Sequence, residues 1–261
     1  MPVVDVNGQR IAYDDTGGNG PPIVFSHGFL MDRTMFDAQV EVLRDRHRII
    51  AWDERGFGET EFDGRPFTYW DSAKDLLGLM DHLGIDRAVL AGMSQGGFLS
   101  LRAALLAPER VRALILLDTQ AGVDAKETTA GYRQMLDTWK TAGPVDELAN
   151  TVATIIIDQP GENEKWIAKW RSRPSELIAE PGECLYGRDD ITERLGEITA
   201  PALVVHGTSD TAIGMDRAEE LAHGLPGSGP VVKVPGAHAA NMTHPDAVND
   251  AIVAFLAALP A

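Results

Sequence analysis

The segment Gly92-Met93-Ser94-Gln95-Gly96-Gly97 places a serine between closely spaced glycines, in a G-x-S-x-G pattern. An apolar, strand-like run at residues 88–91 precedes it, and a helix-like run follows it. In a strand, turn and helix context, this pattern holds a serine on a sharp, strained turn from which its hydroxyl projects. Side chains at Gly92 and Gly96 are expected to collide with the neighbouring strand or helix. The pattern therefore predicts covalent catalysis by Ser94.

A serine nucleophile needs a base within hydrogen-bond reach, and that base needs an orienting carboxylate. His238 is the best candidate base, because it lies in a loop after the last predicted strand. Asp210 is the favoured acid, since it lies just beyond the strand-like run 202–206. Asp118 follows an earlier strand-like run and is its rival. A carboxylate at either position can accept the imidazole N–H and fix the useful tautomer.

Attack on a carbonyl creates a negatively charged oxygen, which backbone N–H groups can stabilise. Gln95 follows the nucleophile at a helix N-terminus, so its N–H is one predicted donor. The second donor is predicted in the loop His27-Gly28-Phe29-Leu30, after another strand. We expect it to be the N–H of Phe29, with that of Leu30 as the alternative.

Strand-like and helix-like runs alternate along most of the chain, which predicts an α/β sheet. Asn7-Gly8 lies between two short strands and is a strong hairpin signal. Functional loops of such a sheet lie at the carboxyl ends of its parallel strands. Buried strands are predicted at residues 22–26, 48–52, 88–91, 111–117, 202–206 and 231–234, with helices near 70–84 and 245–259.

Residues 119–195 are mostly helical in pattern and contain no convincing strand. We therefore predict a helical cap, or lid, over an α/β core made of residues 1–118 and 196–261. Two apolar stripes at helical spacing cross the predicted cap, and one or two of their residues are expected to line the substrate cavity. The predicted pocket residues are Leu30, Trp139 and Trp166.

The segment Asp53-Glu54-Arg55-Gly56-Phe57-Gly58 follows another strand and is predicted to be scaffold. In that interpretation, Arg55 forms an ion pair with Asp53 or Glu54. The sequence contains no phosphate-binding loop, dinucleotide fingerprint or metal-ligand spacing. We therefore predict neither a cofactor nor a metal site.

The chain has 261 residues, of which 44% are hydrophobic and 24% charged, and its net charge is −16. Nucleic acids and anionic membranes need concentrated positive charge, so neither is expected as a partner. The sequence has no apolar run of about 18 residues and no secretion signal, so no membrane span is expected. The single cysteine, Cys184, fits a reducing cytoplasm. A homo-oligomer is compatible with this composition.

Together these motifs resemble the α/β-hydrolase superfamily, specifically its small, cofactor-independent, lid-bearing members. The resemblance covers nearly the whole chain and rests on residues 27–29, 53–58, 92–97, 206–210 and 236–238. It implies an eight-stranded, mostly parallel sheet flanked by helices, with the lid inserted after the sixth strand. It also implies a triad of Ser94, Asp210 and His238.

Within this superfamily, the chain looks most like carboxylesterases, 3-oxoadipate enol-lactonases and the cofactor-free haloperoxidases. Serine at position 94 argues against haloalkane dehalogenases and epoxide hydrolases, which use an aspartate nucleophile. The C–C bond hydrolases of aromatic degradation share the triad. An acidic enol-lactone would need a cationic anchor in the lid, for which the candidates are Arg133, Lys165, Lys169, Arg171, Arg173 and Arg188.

The leading hypothesis is a carboxylic ester hydrolase that forms an acyl-enzyme intermediate on Ser94. Its substrate would be a small ester or lactone. The alternatives within enzymes are hydrolysis of a lactone, such as an enol-lactone, or of a C–C bond. An alternative of another class is a ligand receptor that keeps this fold without turnover.

Overall fold

The computed structural model of the protein describes residues 2–260. Its N-terminal hairpin consists of β1 (Val3–Val6) and β2 (Gln9–Asp15), which pair antiparallel with Val6 opposite Gln9. Asn7 and Gly8 connect them with φ angles of 49° and 80°. Two positive φ angles are what a two-residue type I′ turn requires, so the predicted hairpin is confirmed.

Eight strands form one sheet in the order β1-β2-β4-β3-β5-β6-β7-β8. β1, β2 and β4 pair antiparallel, and all remaining pairs are parallel. The loops that follow β3 to β8 therefore lie at the same edge of the sheet, as the sequence predicts. The other strands are β3 (Pro22–Ser26), β4 (Arg48–Trp52), β5 (Ala88–Met93), β6 (Val111–Leu117), β7 (Ala202–Gly207) and β8 (Val232–Val234).

Helices cover both faces of the sheet. Successive side chains of β5 alternate between two apolar clusters, with Leu90 in one and Val89 in the other. Burial on both faces explains why the parallel strands are nearly continuous apolar runs. The helices are α1 (Asp37–Leu43), α2 (Tyr69–His82), α3 (Gln95–Leu106), α4 (Lys126–Ala142), α5 (Asp146–Ile156), α6 (Pro160–Arg171), α7 (Ala179–Tyr186), α8 (Met215–Gly224), α9 (Ala240–Thr243) and α10 (Pro245–Ala258).

Four of these helices, α4 to α7, lie between β6 and β7 in the chain, and residues 119–195 contain no strand. The end of α6 is hydrogen-bonded to loops at the carboxyl edge of the sheet. The indole Nε1 of Trp170 donates to the carbonyl oxygen of Leu30 at 2.7 Å, and Nζ of Lys169 lies 2.9 Å from Oδ2 of Asp32. These contacts place the helical segment beside the edge where the site residues lie. The division into a core and a cap stays a prediction.

Within residues 2–260, no helix is both long enough and apolar enough to cross a membrane.

Candidate active site

Ser94 occupies the sharp turn between β5 and α3, with φ 51° and ψ −114°. A residue other than glycine reaches this conformation only when its surroundings hold it there. The end of β6 does so, because Ser94 N–H donates to the Leu117 carbonyl at 2.9 Å and Thr119 Oγ1 donates to the Ser94 carbonyl at 2.7 Å. The predicted strained turn is therefore present, and both of its backbone polar groups at Ser94 are anchored.

The glycines on either side of Ser94 are required by close approach of backbone atoms. A Cβ atom at Gly92 would lie 2.1 Å from the carbonyl oxygen of Gly96. A Cβ atom at Gly96 would lie 1.9 Å from the carbonyl oxygen of Ser26, on β3. The clashing atoms belong to the backbone and cannot move aside as a flexible side chain can. The structure therefore confirms that side chains at Gly92 and Gly96 would collide with their neighbours.

His238 and Asp210 are joined by a hydrogen bond of 2.7 Å between Nδ1 and Oδ2. Oδ1 of Asp210 accepts the backbone N–H groups of Ala212 and Ile213 at 2.8 and 3.0 Å, which fixes the carboxylate. Burial opposes the imidazolium, but the Asp210 charge and hydrogen bond outweigh it and raise the pKa of His238. Burial likewise opposes the Asp210 carboxylate, yet His238 lowers its pKa overall. This pair leaves Nε2 of His238 as the nitrogen that can act on a hydroxyl.

Asp118, the rival acid, lies at the end of β6 with φ 46°. Its Oδ1 accepts the N–H of Gly207 at 2.7 Å, and within residues 2–260 it has no hydrogen bond to His238. Burial, and then the nearby Asp210, raise the pKa of Asp118 well above its ordinary value, against the attraction of His238. The geometry therefore favours Asp210 over Asp118 as the partner of His238.

Asp118, His206 and Asp210 are the one group of three metal-ligand side chains that meet within residues 2–260, with ligand atoms inside 4.8 Å of one another. Nε2 of His206 lies 2.9 Å from the carbonyl oxygen of Ile213, to which it can only donate. The two carboxylates accept backbone N–H groups and the His238 ring. This hydrogen bonding identifies the group as support for the Asp210–His238 pair.

Ser94 and His238 both line a cavity of about 820 Å³, a volume that includes its opening to solvent. Leu30, a predicted pocket residue, lines it as well. A concave, mostly apolar cavity with a few polar side chains is the usual form of a site for a small organic molecule. The remaining wall is mostly apolar and comes largely from the helices between β6 and β7, with Tyr132, Met135 and Leu136 on α4, Val152, Ile155 and Ile156 on α5, and Tyr186 on α7.

The prediction that Trp139 and Trp166 line this cavity is wrong. Trp139 is buried against Trp170, with the two ring centroids 5.5 Å apart in an edge-on arrangement. The ring of Trp166 is also buried and lies 4.2 Å from Nζ of Lys169. Trp139 therefore packs α4 against α6, and both indoles belong to the same buried apolar cluster.

The backbone N–H groups of Phe29 and Gln95 have no hydrogen-bond acceptor among the described residues. Gln95 is the first residue of α3, and Phe29 lies in the turn closed by the 3.0 Å bond from Met31 N–H to the Gly28 carbonyl. Leu30 in this turn has a φ of 65°. The indole N–H of Trp170 donates a hydrogen bond to the carbonyl oxygen of Leu30. One of these two free donors belongs to the residue that follows Ser94, and the other belongs to a residue that lines the cavity together with Ser94.

The buried ring of His27 is hydrogen-bonded to this turn and to the loop after β4. Its Nδ1 lies 2.8 Å from the Gly28 carbonyl and its Nε2 lies 3.0 Å from the Glu54 N–H. Nδ1 must therefore donate and Nε2 accept, which is the neutral form of the ring. Burial lowers the pKa of His27, in agreement with that form. His27 is thus a structural residue that joins the loops after β3 and β4.

Arg55 pairs with Asp75, with Nη2 and Oδ1 2.9 Å apart. The expected ion pair to Asp53 or Glu54 is therefore wrong. Asp53 instead accepts the backbone N–H groups of Arg33 and Glu59, both at 2.8 Å. The Arg55–Asp75 pair links this loop to α2, and the local sequence does not specify that contact. The scaffold role of the loop stays a prediction.

Glu54 is buried, and neither of its carboxyl oxygens has a hydrogen-bond partner among the described residues. Burial raises the pKa of Glu54 to about 8, partly offset by the neighbouring Ser72 hydroxyl. The folded protein then holds a proton that the unfolded chain releases, so stability falls as pH rises between the two pKa values. Relative to Glu54→Gln, the free energy of unfolding of the natural protein should fall by about 1.4 kcal/mol per pH unit from about pH 5 to 8.

Urea unfolding of both proteins at several pH values within that window measures this slope. Glu109→Gln, a change at an exposed glutamate, is the matched control and should run parallel to the natural protein. A constant difference between Glu54→Gln and the natural protein would show that Glu54 is ionised in the folded state throughout.

Three residues at the site were not singled out from the sequence as parts of it. Trp170 belongs to one of the apolar stripes of the predicted cap, yet its indole N–H donates to the Leu30 carbonyl in the turn after β3. Asp124 and Gln120 line the cavity and are hydrogen-bonded to each other at 3.0 Å. Both residues follow shortly after β6, at the carboxyl edge of the sheet. That position in the sequence could have predicted that they lie at the site.

Comparison with known proteins agrees with this description. The sequence profile of the alpha/beta hydrolase fold matches residues 21–245. An esterase from Thermogutta terrifontis is 32% identical, with a TM-score of 0.91 over 99% of each chain. An enol-lactonase from Burkholderia xenovorans is 29% identical, with a TM-score of 0.90 over 98% of this chain and 100% of that one. 3-Oxoadipate enol-lactonase 2 from Acinetobacter baylyi is 26% identical over 246 residues, which are 90% of this chain and 88% of that protein.

The family match spans most of the chain, and the matched residues 21–245 include Ser94, Asp118, Asp210 and His238. The resemblance inferred from the motifs is therefore confirmed. This protein belongs to the alpha/beta hydrolase fold family.

Proposed function

We propose that the protein is a serine hydrolase that cleaves carboxylic esters through an acyl-enzyme intermediate. One observation carries the proposal. Ser94 and His238 face the same apolar cavity, and the far side of the His238 ring is held by Asp210 at 2.7 Å. A serine hydroxyl and an oriented imidazole in one cavity are the groups that acyl transfer needs.

In the proposed reaction, Nε2 of His238 takes the Ser94 hydroxyl proton as Oγ attacks the ester carbonyl carbon. The tetrahedral intermediate collapses when the imidazolium gives that proton to the leaving alcohol. Water, deprotonated by the same nitrogen, then attacks the acyl-enzyme, and the acid leaves as Ser94 recovers its proton. Asp210 keeps Nδ1 protonated throughout and stabilises the imidazolium.

The negative charge of each tetrahedral intermediate falls on the former carbonyl oxygen. The free N–H groups of Phe29 and Gln95 are the proposed donors to it. Gln95 begins α3, so the helix dipole adds to the stabilisation. Donors of this kind are each worth about 10²- to 10³-fold in rate, because they are fixed before the charge develops.

The proposed partner is a small ester with a modest apolar group, since side chains of α4, α5 and α7 supply most of the cavity wall. In this proposal, the helices between β6 and β7 act as a lid that excludes water. No nucleic-acid or membrane partner is proposed, in keeping with the net charge of −16.

A substrate panel tests the reaction class. We expect uncharged 4-nitrophenyl esters of short and medium chain length to give the highest kcat/KM, because the cavity wall is mostly apolar. Uncharged lactones and vinylogous diketones are measured in parallel. A lactone or diketone that exceeds every ester by a large factor would overturn the ester assignment. Product that stops at one equivalent per protein would instead indicate a receptor.

A further inference from the structure

An arginine and an aspartate that form an ion pair line the cavity. Arg188 and Asp124 both line the cavity that holds Ser94 and His238, and Nη2 of Arg188 lies 2.9 Å from Oδ2 of Asp124. The Arg188 side chain is only 3% exposed and that of Asp124 is 19% exposed. The pair therefore belongs to the substrate cavity and is shielded from bulk water.

The donors of Arg188 are already used by the protein. Nη1 donates to the Leu185 carbonyl at 2.7 Å, and Nε donates to the Gly122 carbonyl at 3.3 Å. Its guanidinium carbon also lies 4.7 Å from the ring centroid of Phe98, across which the group is stacked. A substrate carboxylate would have to displace one of these contacts or compete with Asp124.

No other cation among the six candidate anchors lines this cavity in the described chain. Arg133, Lys165, Lys169 and Arg171 each form an ion pair with an acidic residue, and Arg173 donates to the carbonyl oxygens of Gly56 and Gly58. Among residues 2–260, Arg188 is the one lysine or arginine that lines the cavity, and its charge is paired with that of Asp124.

We propose that Asp124 is a specificity-determining residue, which makes this cavity select uncharged acyl groups and reject acyl groups that end in a carboxylate. This inference rests on the ester hydrolase proposed above. A carboxylate in the cavity would lose its hydration and gain no unpaired cation, while Asp124 would repel it. Removing the Asp124 charge leaves Arg188 as an unpaired buried cation, which is an anion site.

Two esters of equal chain length isolate this effect. 4-Nitrophenyl hexanoate ends in a methyl group, and mono-4-nitrophenyl adipate ends in a carboxylate. We expect the natural protein to favour the hexanoate in kcat/KM by about 100-fold or more, the size expected when a buried like charge is met. Asp124→Asn should lower that preference by about 10-fold to 100-fold, because Arg188 can then pair with the adipate carboxylate.

The ratio of two substrates at one pH is insensitive to changes in His238, because both reactions need the same neutral base. Asn keeps the shape of Asp124, and its single oxygen can accept from Arg188 or from Gln120, whereas the two carboxylate oxygens accept from both. Glu127→Gln is the matched control, since it changes the net charge equally at an exposed position on α4. The double variant Asp124→Asn with Arg188→Met removes both charges and should restore the preference for hexanoate.

A ratio that stays within about twofold of the natural value in Asp124→Asn would overturn the inference, as would efficient adipate hydrolysis by the natural protein. A lowered ratio that persists in the double variant would also overturn it, since the cause would then be a loosened cavity. Failure of the natural protein to cleave either ester would instead contradict the proposed function and the inference together.

Discussion

Replacing Ser94 by alanine is expected to lower kcat for ester hydrolysis by about 10⁴- to 10⁶-fold, because no other serine, threonine or cysteine of residues 2–260 lines the cavity. The remaining rate would come from the oxyanion donors and from binding. Substrate binding should survive, since the lost hydroxyl contributes little to the apolar wall. Steady-state kinetics with a 4-nitrophenyl ester, and direct binding of a product acid or a non-hydrolysable ketone, measure the two effects separately.

Ser100→Ala is the matched control for this substitution. Ser100 is also buried on α3, but its hydroxyl donates to the Gly96 carbonyl at 2.6 Å and lies outside the cavity wall. It should retain most of the activity. A loss at Ser100 equal to that at Ser94 would mean that disruption of α3, rather than removal of a nucleophile, explains the result.

Asp210→Asn is expected to lower kcat by about 10³- to 10⁴-fold, because the amide cannot hold His238 in the tautomer that leaves Nε2 free as a base. Asp118→Asn should cost far less, since its contact is with the Gly207 N–H. Asparagine also tolerates the positive φ of residue 118. The two variants have the same change in shape and charge, so each controls for the other. A larger loss at Asp118 would reassign the acid.

The pH profile gives a second readout of the same pair. His238 must be neutral to act as a base, so kcat/KM should fall on the acid side as the ring is protonated. Asp210 raises the pKa of His238, so the acid limb of Asp210→Asn should move to lower pH. Asp118 makes a smaller contribution to that rise, and Asp118→Asn should move the limb less.

Much of the fold follows from short-range features of the sequence. The strands at 22–26, 48–52 and 111–117 have the predicted bounds, because each is a buried apolar run between turn-forming residues. The Asn7-Gly8 turn fixes its hairpin in the same local way. Loops at strand ends then converge because parallel strands share one edge.

The residues that line the cavity are harder to predict from the sequence, because they depend on how helices far apart in the chain pack against one another. Tyr132, Met135 and Leu136 share one face of α4 and line the cavity. Trp139 continues the same apolar stripe, but it turns away to pack against Trp170 on α6. Helical spacing identifies the stripe and cannot tell which part of it meets a neighbouring helix.

The partners in ion pairs are equally hard to predict from the sequence. Arg55 has two acidic neighbours in sequence, yet it pairs with Asp75 on α2. Arg188 finds Asp124 across 64 residues. The fold determines which charged residues become partners. The sequence therefore identifies candidate charged residues for the cavity but does not show which of them form pairs.

Covalent trapping tests the central claim most directly. The natural protein, treated with a 4-nitrophenyl alkylphosphonate and digested, should carry a single phosphonyl adduct on the peptide that contains Ser94. The Ser94→Ala protein should carry none, and Ser100→Ala should be labelled like the natural protein. An adduct on another residue, such as Cys184, or labelling that persists in Ser94→Ala, would contradict the assignment of Ser94 as the nucleophile.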